Sequence, residues 1–96
     1  MKPSDALEAH RTELRHLAAH YGVLRVRVFG SALTRTDTEE SDLDLLVDPS
    51  QTTTLFTLAG FQSDAEELLG VKVSVLTPNG LPPKFRARGL AQAAPL

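Results

Sequence analysis

Val23-Leu24-Arg25-Val26-Arg27-Val28-Phe29-Gly30-Ser31, ten intervening residues, then Asp42-Leu43-Asp44-Leu45-Leu46-Val47 is the stretch on which the fold of this chain turns. In the first segment apolar residues and arginines alternate, the pattern of a half-exposed strand, and Gly30-Ser31 breaks it. Leu43, Leu45, Leu46 and Val47 form a second short strand that Pro49 stops. Residues two apart on a strand share a face, so Asp42 and Asp44 project side by side while Leu43 turns away. Carboxylates that close repel unless a cation lies between them or one takes up a proton. A hard divalent cation, Mg²⁺ above all, suits such oxygen ligands, and its sites commonly hold phosphates as well. Gly30 lets the backbone approach a ligand closely, and Ser31 adds a hydroxyl to backbone N–H groups that suit phosphate oxygens. A phosphate cradle facing a carboxylate pair is what metal-assisted phosphoryl or nucleotidyl transfer requires. The plainer alternative is a surface turn followed by an acidic strand edge.

Outward from this centre the chain reads as alternating elements. Ser4 is an expected N-cap for a helix that ends at Gly22, a suitable C′ residue. At helical spacing Ala6, Leu7, Leu14, Leu17, Ala18 and Tyr21 share one face, with His10 in its middle. Residues 52–69 give a second amphipathic helix whose apolar face carries Leu55, Leu58, Ala59, Phe61, Ala65, Leu68 and Leu69, with Phe56 off the stripe. Gly70 ends it. Val71–Thr77 is a third strand, and Pro82-Pro83 leads into a short basic helix around 85–91. The expected architecture is α/β (α+β), in the order αβ(α)βαβα, with a three-stranded mixed sheet. The first two strands, joined by a short connection, are antiparallel neighbours. The helix after the second permits a right-handed parallel crossover to the third.

Composition narrows the function classes. Ninety-six residues with 42% apolar content fit one compact domain, residues 1–96. A net charge of −2 argues against a dense basic nucleic-acid binder. There is no cysteine, hence no disulfide framework and no thiolate chemistry. No apolar run approaches the roughly 20 residues of a membrane span, and the amino end lacks a signal-like stretch, so a cytoplasmic protein is expected. Charge is nonetheless uneven. Residues 1–36 carry +3, residues 37–67 carry −9 and residues 68–96 carry +4.

Phe29-Gly30-Ser31 with Ser41-Asp42-Leu43-Asp44-Leu45-Leu46-Val47 resembles the signature of the DNA polymerase β-like nucleotidyltransferase superfamily, and the short chain is similar to its smallest branch, the minimal nucleotidyltransferases (MNT) of prokaryotes. The likeness runs on through Leu55-Phe56, Glu66–Gly70, Val75–Pro78, Phe85–Arg88 and Ala93–Leu96. It implies the polymerase β-like fold and an antitoxin of a toxin–antitoxin pair, joined in a hetero-oligomer with a HEPN-domain ribonuclease toxin. The implied activity is Mg²⁺-dependent transfer of AMP from ATP to a tyrosine of that toxin, without direct nucleic-acid or membrane contact. Carried over by position, Gly30 and Ser31 hold the triphosphate, and Asp42 and Asp44 ligate Mg²⁺. Two departures stand out. Ser74 occupies the place of the family's third carboxylate, which helps hold the metal activating the acceptor and can take its proton. Thr34-Arg35 stands where relatives carry Arg-Gly, so Arg35 is the expected phosphate-facing charge from a shifted position.

Ser74 keeps a second hypothesis open, a catalytically impaired nucleotidyltransferase-fold protein that neutralises the toxin by binding alone. A small-molecule nucleotidyltransferase fits less well, because no acceptor domain accompanies the core. The remaining candidates read as ordinary structure. His16 and His20 have metal-pair spacing but lie on a polar face, and are expected to be solvated. His10 is expected as a hydrogen-bonded core residue. Asp37, Glu39 and Glu40 are expected in a solvated loop and Asp48 at a turn, while Phe56 is either packed under a loop or part of a partner surface. Lys84, Arg86 and Arg88 form either a solvated face or one that meets phosphates or an acidic partner.

Overall fold

Pro3 opens the first helix, where a missing N–H costs nothing and the fixed φ is already helical. In the computed structural model, which describes residues 1–80 and 92–96, α1 spans Pro3–His20. Lys2, not Ser4, is its N-cap residue and supplies no side-chain cap. Ser4 instead lies one position into the helix, buried, and donates from its amide (2.8 Å) and hydroxyl (2.9 Å) to the Asp37 carboxylate. A residue distant in sequence thus satisfies the helix end that a local cap would otherwise serve. Asp37 is accordingly 4% exposed, and the expected solvated loop position is corrected to a buried anchor.

α1 closes as its glycine anticipates. Gly22 adopts φ +67, its amide donates to Ala19 and the Val23 amide to Ala18, the paired bonds of a Schellman motif. Ala6, Leu7, Leu14 and Ala18 are buried, as the spacing predicts. His10 is not. It sits at a kink (φ −127°, ψ 22°), only partly covered, with Nδ1 3.0 Å from Glu13 Oε1. The break in helical geometry rotates it off the apolar stripe. His16 and His20 are exposed.

β1 (Leu24–Phe29) pairs antiparallel with β2 (Leu43–Asp48). The register slips between Leu24 and Arg27, and Arg25 within that bulge has φ +48. The bulge leaves Leu24 exposed while Val28 is buried. Between the strands lies α2 (Ser31–Thr34), a single turn. β2 is the central strand, with Leu43, Leu45, Leu46 and Val47 fully buried. After Asp48 the chain enters α3 (Leu55–Leu69), started by a capping box in which Thr54 and Thr57 exchange side-chain and backbone bonds. α3 ends at Gly70, φ +70. It begins later than residue 52, and Leu55 and Phe56 in its first turn are 83% and 89% exposed, so Leu55 does not join the buried stripe.

β3 (Val73–Leu76) then pairs parallel to β2, the arrangement a helical crossover permits. After a 3₁₀ turn at Pro78–Gly80, a two-residue strand β4 (Ala94–Pro95) returns to the outer edge of β1. The sheet therefore has four strands in the order β3-β2-β1-β4, one more than the alternation of apolar residues reveals. Two residues are too few to generate a period, and only the pairing partner shows that they are a strand. The expected basic helix around 85–91 lies outside the described residues.

Parity divides the sheet into two faces. Val28, Leu43, Leu45, Val47 and Val73 join Leu14, Ala18, Phe61 and Ala65 of the helices in one core. Residues of the other parity on β2 are Asp44, Leu46 and Asp48. Asp48 receives Arg27 at 2.6 Å and Arg25 at 3.8 Å, so it is the acceptor of a cross-strand ion pair.

Candidate active site

Phe29, Asp44 and Ser74 occupy one row across the sheet: Asp44 pairs with Phe29 on one side and Ser74 on the other. With β2 in the middle, the row puts the end of β1 and the start of β3 on either side of the start of β2. Gly30 follows Phe29 directly and takes φ +75, ψ −152 as the residue capping α2. A Cβ at this position would lie 2.5 Å from Asp44 Oδ2. Glycine is therefore required twice over, by its dihedral and by the carboxylate pressed against it. This close approach is the central geometric fact of the site. The carbonyl of Gly30 accepts from the amides of Leu33 and Thr34, closing the turn of α2.

Asp42 lies exposed immediately before β2, and Asp44 is half-buried within it. Burial raises the Asp44 carboxyl above its ordinary value, and the negative charge of Asp42 raises it further. The charge of Asp42 is thus felt at the Asp44 carboxyl. Asp37 stands in contrast. Burial pushes its carboxyl upward, but the bonds from the Ser4 amide and hydroxyl, with Lys2 nearby, outweigh that and hold it below the usual range.

Two clefts flank the pair. One, of about 460 Å³, is lined by Gly30, Ser31, Leu33, Thr34, Thr36 and Gln92. The other, of about 380 Å³, runs past Asp42 between Glu39, Glu40 and Lys72. Gln92 carries no motif and no period, and only the return of β4 along β1 brings it to the first cleft. Arg35 does not line that cleft. It occupies the left-handed region at φ +57, where a glycine would be unstrained, and its guanidinium is 3.4 Å from Glu8 on α1. The expected phosphate-facing Arg35 is thus seen here paired with Glu8, both side chains largely exposed.

Asp42 and Asp44 offer hard oxygen donors, and a cation between them would offset both the burial of the Asp44 charge and its repulsion by Asp42. Among the described residues no group of three or more His, Cys, Asp or Glu side chains surrounds a common point. That donor set suits Mg²⁺, which is held by one or two carboxylates together with substrate phosphates rather than by an all-protein cage.

Comparison with known proteins agrees with this geometry. Residues 7–96 match the nucleotidyltransferase domain family. The chain is 35% identical over 75 residues to the protein adenylyltransferase MntA of Thermococcus cleftensis, covering 78% of this chain and 73% of that protein. It is 37% identical over 73 residues to a Methanocaldococcus jannaschii protein named for protein adenylyltransferase activity, covering 76% and 78% of the two chains. A solved structure of a minimal nucleotidyltransferase superposes with a TM-score of 0.87 at 41% identity, over 97% of this chain and 95% of that one. A toxin–antitoxin structure with AMP-PNP shares the fold, with a TM-score of 0.74 at 15% identity over 88% and 69% of the chains. A glycine seated against a carboxylate, a second carboxylate two residues away and these relationships lead to one conclusion: the chain belongs to the minimal nucleotidyltransferase family and is a nucleotidyltransferase.

Proposed function

We propose that this enzyme moves AMP from ATP onto a tyrosine hydroxyl of a HEPN-domain ribonuclease toxin and so acts as its antitoxin. The observation that carries the reading is the approach of Gly30 to Asp44, so close that no side chain fits between them, which sets the Gly30-Ser31 turn directly beside the carboxylate pair. The names of its relatives, protein adenylyltransferases, support a protein acceptor. The fold neighbour described as a toxin–antitoxin with AMP-PNP supports a toxin partner and an adenine nucleotide. The protein would work in the cytoplasm, in a heteromeric complex with its toxin, contacting neither nucleic acid nor membrane.

In this mechanism Ser31 and the Gly30 backbone would hold the triphosphate, and Asp42 and Asp44 would hold the Mg²⁺ that accompanies it. Bound there, Mg²⁺ would neutralise charge on the phosphates and on the leaving pyrophosphate. The tyrosine oxygen attacks the α-phosphorus, the bond between that phosphorus and the α–β bridging oxygen breaks, and pyrophosphate departs. The tyrosine proton passes to solvent, since the position beside Asp44 that could accept it carries Ser74. A serine hydroxyl has neither charge nor basicity at neutral pH.

Ser74 also favours a second reading, in which transfer is feeble and the toxin is neutralised by binding alone. The two readings separate in one experiment. The protein is incubated with labelled ATP, Mg²⁺ and the toxin, and toxin ribonuclease activity is followed in parallel. Label on the toxin, lost together with neutralisation in an Asp42→Ala/Asp44→Ala variant, supports transfer. No label with the native protein, and intact neutralisation by the variant, overturns it in favour of binding.

A further inference from the structure

The cleft beside Gly30 holds a residue that no motif marks. Four of its lining side chains are polar: Ser31, Thr34, Thr36 and Gln92. The Thr34 and Thr36 hydroxyls bond each other at 2.9 Å, and Thr34 also reaches the main-chain oxygens of Gly30 and Ser31. Among the described residues the Ser31 hydroxyl and the Gln92 carboxamide engage no partner. Among the described residues the cleft therefore presents two uncommitted hydrogen-bonding groups, one on α2 and one just before the returning strand. That strand is pinned. Ala94 and Pro95 pair with Val28 and Arg27, and the Leu96 amide donates to Val26 at 3.0 Å. The Arg15 guanidinium donates to the Leu96 oxygen through Nε at 3.0 Å and Nη2 at 2.6 Å.

A carboxamide presents donors and an acceptor side by side without charge. Phosphate oxygens only accept, so they use half of such a group. The edge of adenine offers an N6 donor next to the N7 acceptor and matches a glutamine with two bonds, whereas guanine offers two acceptors, O6 and N7. Leu33 adds apolar surface to the same cleft, suited to the face of a ring. We infer that Gln92 reads the base of the bound nucleotide and biases this site toward adenine. This rests on the reading above that a nucleoside triphosphate occupies the Gly30 cleft.

The test is equilibrium titration, with Mg²⁺ present, of fluorescent ATP and GTP analogues labelled on the ribose. The proteins are the native chain, Gln92→Ala, Ser31→Ala and Asp42→Asn/Asp44→Asn. The native chain is expected to bind the ATP analogue more tightly. Gln92→Ala should weaken ATP about fivefold and GTP less than about twofold, the loss of a hydrogen-bonding side chain. Its melting temperature should not move, because Gln92 is exposed and bonded to no described residue. Ser31→Ala should weaken both nucleotides in parallel. Unchanged preference in Gln92→Ala, equal weakening of both nucleotides, or no preference in the native chain overturns the role of Gln92 alone. Tight binding that persists in both the Ser31 and the paired-aspartate variants overturns the underlying assignment of the cleft.

Discussion

Gly30 tolerates no substitution that keeps both its dihedral and its neighbour. Gly30→Ala sets a Cβ 2.5 Å from Asp44 Oδ2 in a backbone region that is essentially confined to glycine and costs about 1–3 kcal/mol. Nucleotide affinity is expected to fall at least tenfold, and the melting temperature by several degrees. Fluorescence titration and thermal unfolding check the two together. Ser74 allows the opposite experiment. It lies in register with Asp44, so Ser74→Asp places a third carboxylate at the site, beside Asp44. Transfer should rise by about a hundredfold, the lower range for a gained proton acceptor, as measured by label on the acceptor protein. No gain over an already fast native enzyme would show that the site needs no third acid. The site carboxylates were legible because a two-residue spacing on a strand is a chemical statement by itself. Gln92 and the inward turn of Asp37 were not, since each depends on a chain return or a long-range bond with no local signature.

At the scale of elements, the carboxylate of Asp37 serves α1 from across the fold. Asp37→Ala removes two bonds to Ser4 and should cost about 2 kcal/mol, the upper range for a lost cap. Its carboxyl is held low in the folded protein, so its contribution is fully present above the unfolded carboxylate value near 4 and is lost as pH falls through the folded value. Urea unfolding from pH 7 down to acid should show this loss in the native chain and less of it in Asp37→Asn. A second contact joins α1 to α3. Tyr21 donates its hydroxyl to Asp64, packs over Gly60 and meets Phe61 edge-on. The bond to Asp64, with burial and the Asp64 charge, raises the phenol above its ordinary value near 10. Tyr21 is the sole tyrosine in a chain without tryptophan, so its ultraviolet titration reads this contact directly. The midpoint should lie above that of free tyrosine and move toward it in Asp64→Asn. Both helices were legible from their apolar spacing and closing glycines. The kink at His10 and the late start of α3 were not, because a helical period continues through a local break and Leu55 looks apolar whether or not anything covers it.

The whole molecule places its chemistry along one row at the strand ends. The helices cover the sheet face of Leu43 and Leu45, leaving Asp44 to the other parity, and α2 closes over the break after β1. The −9 charge of residues 37–67 divides among distinct tasks in this arrangement. Asp42 and Asp44 form the site, Asp37 anchors α1, Asp48 holds Arg27 and Asp64 receives Tyr21. Glu39 and Glu40 flank the second cleft. The order of elements and the parallel crossover followed from short and long connections alone, while β4 required its partner strand to be seen. Nucleotidyl transfer to a protein acceptor is distinguished from every other use of ATP by the fate of the α-phosphate. The toxin is incubated with this enzyme, Mg²⁺ and ATP labelled at either the α- or the γ-phosphate. Label on the toxin from α-labelled ATP alone, with pyrophosphate released, is the predicted result. Label from the γ-position, or none from the α-position under conditions where the toxin is neutralised, would contradict it.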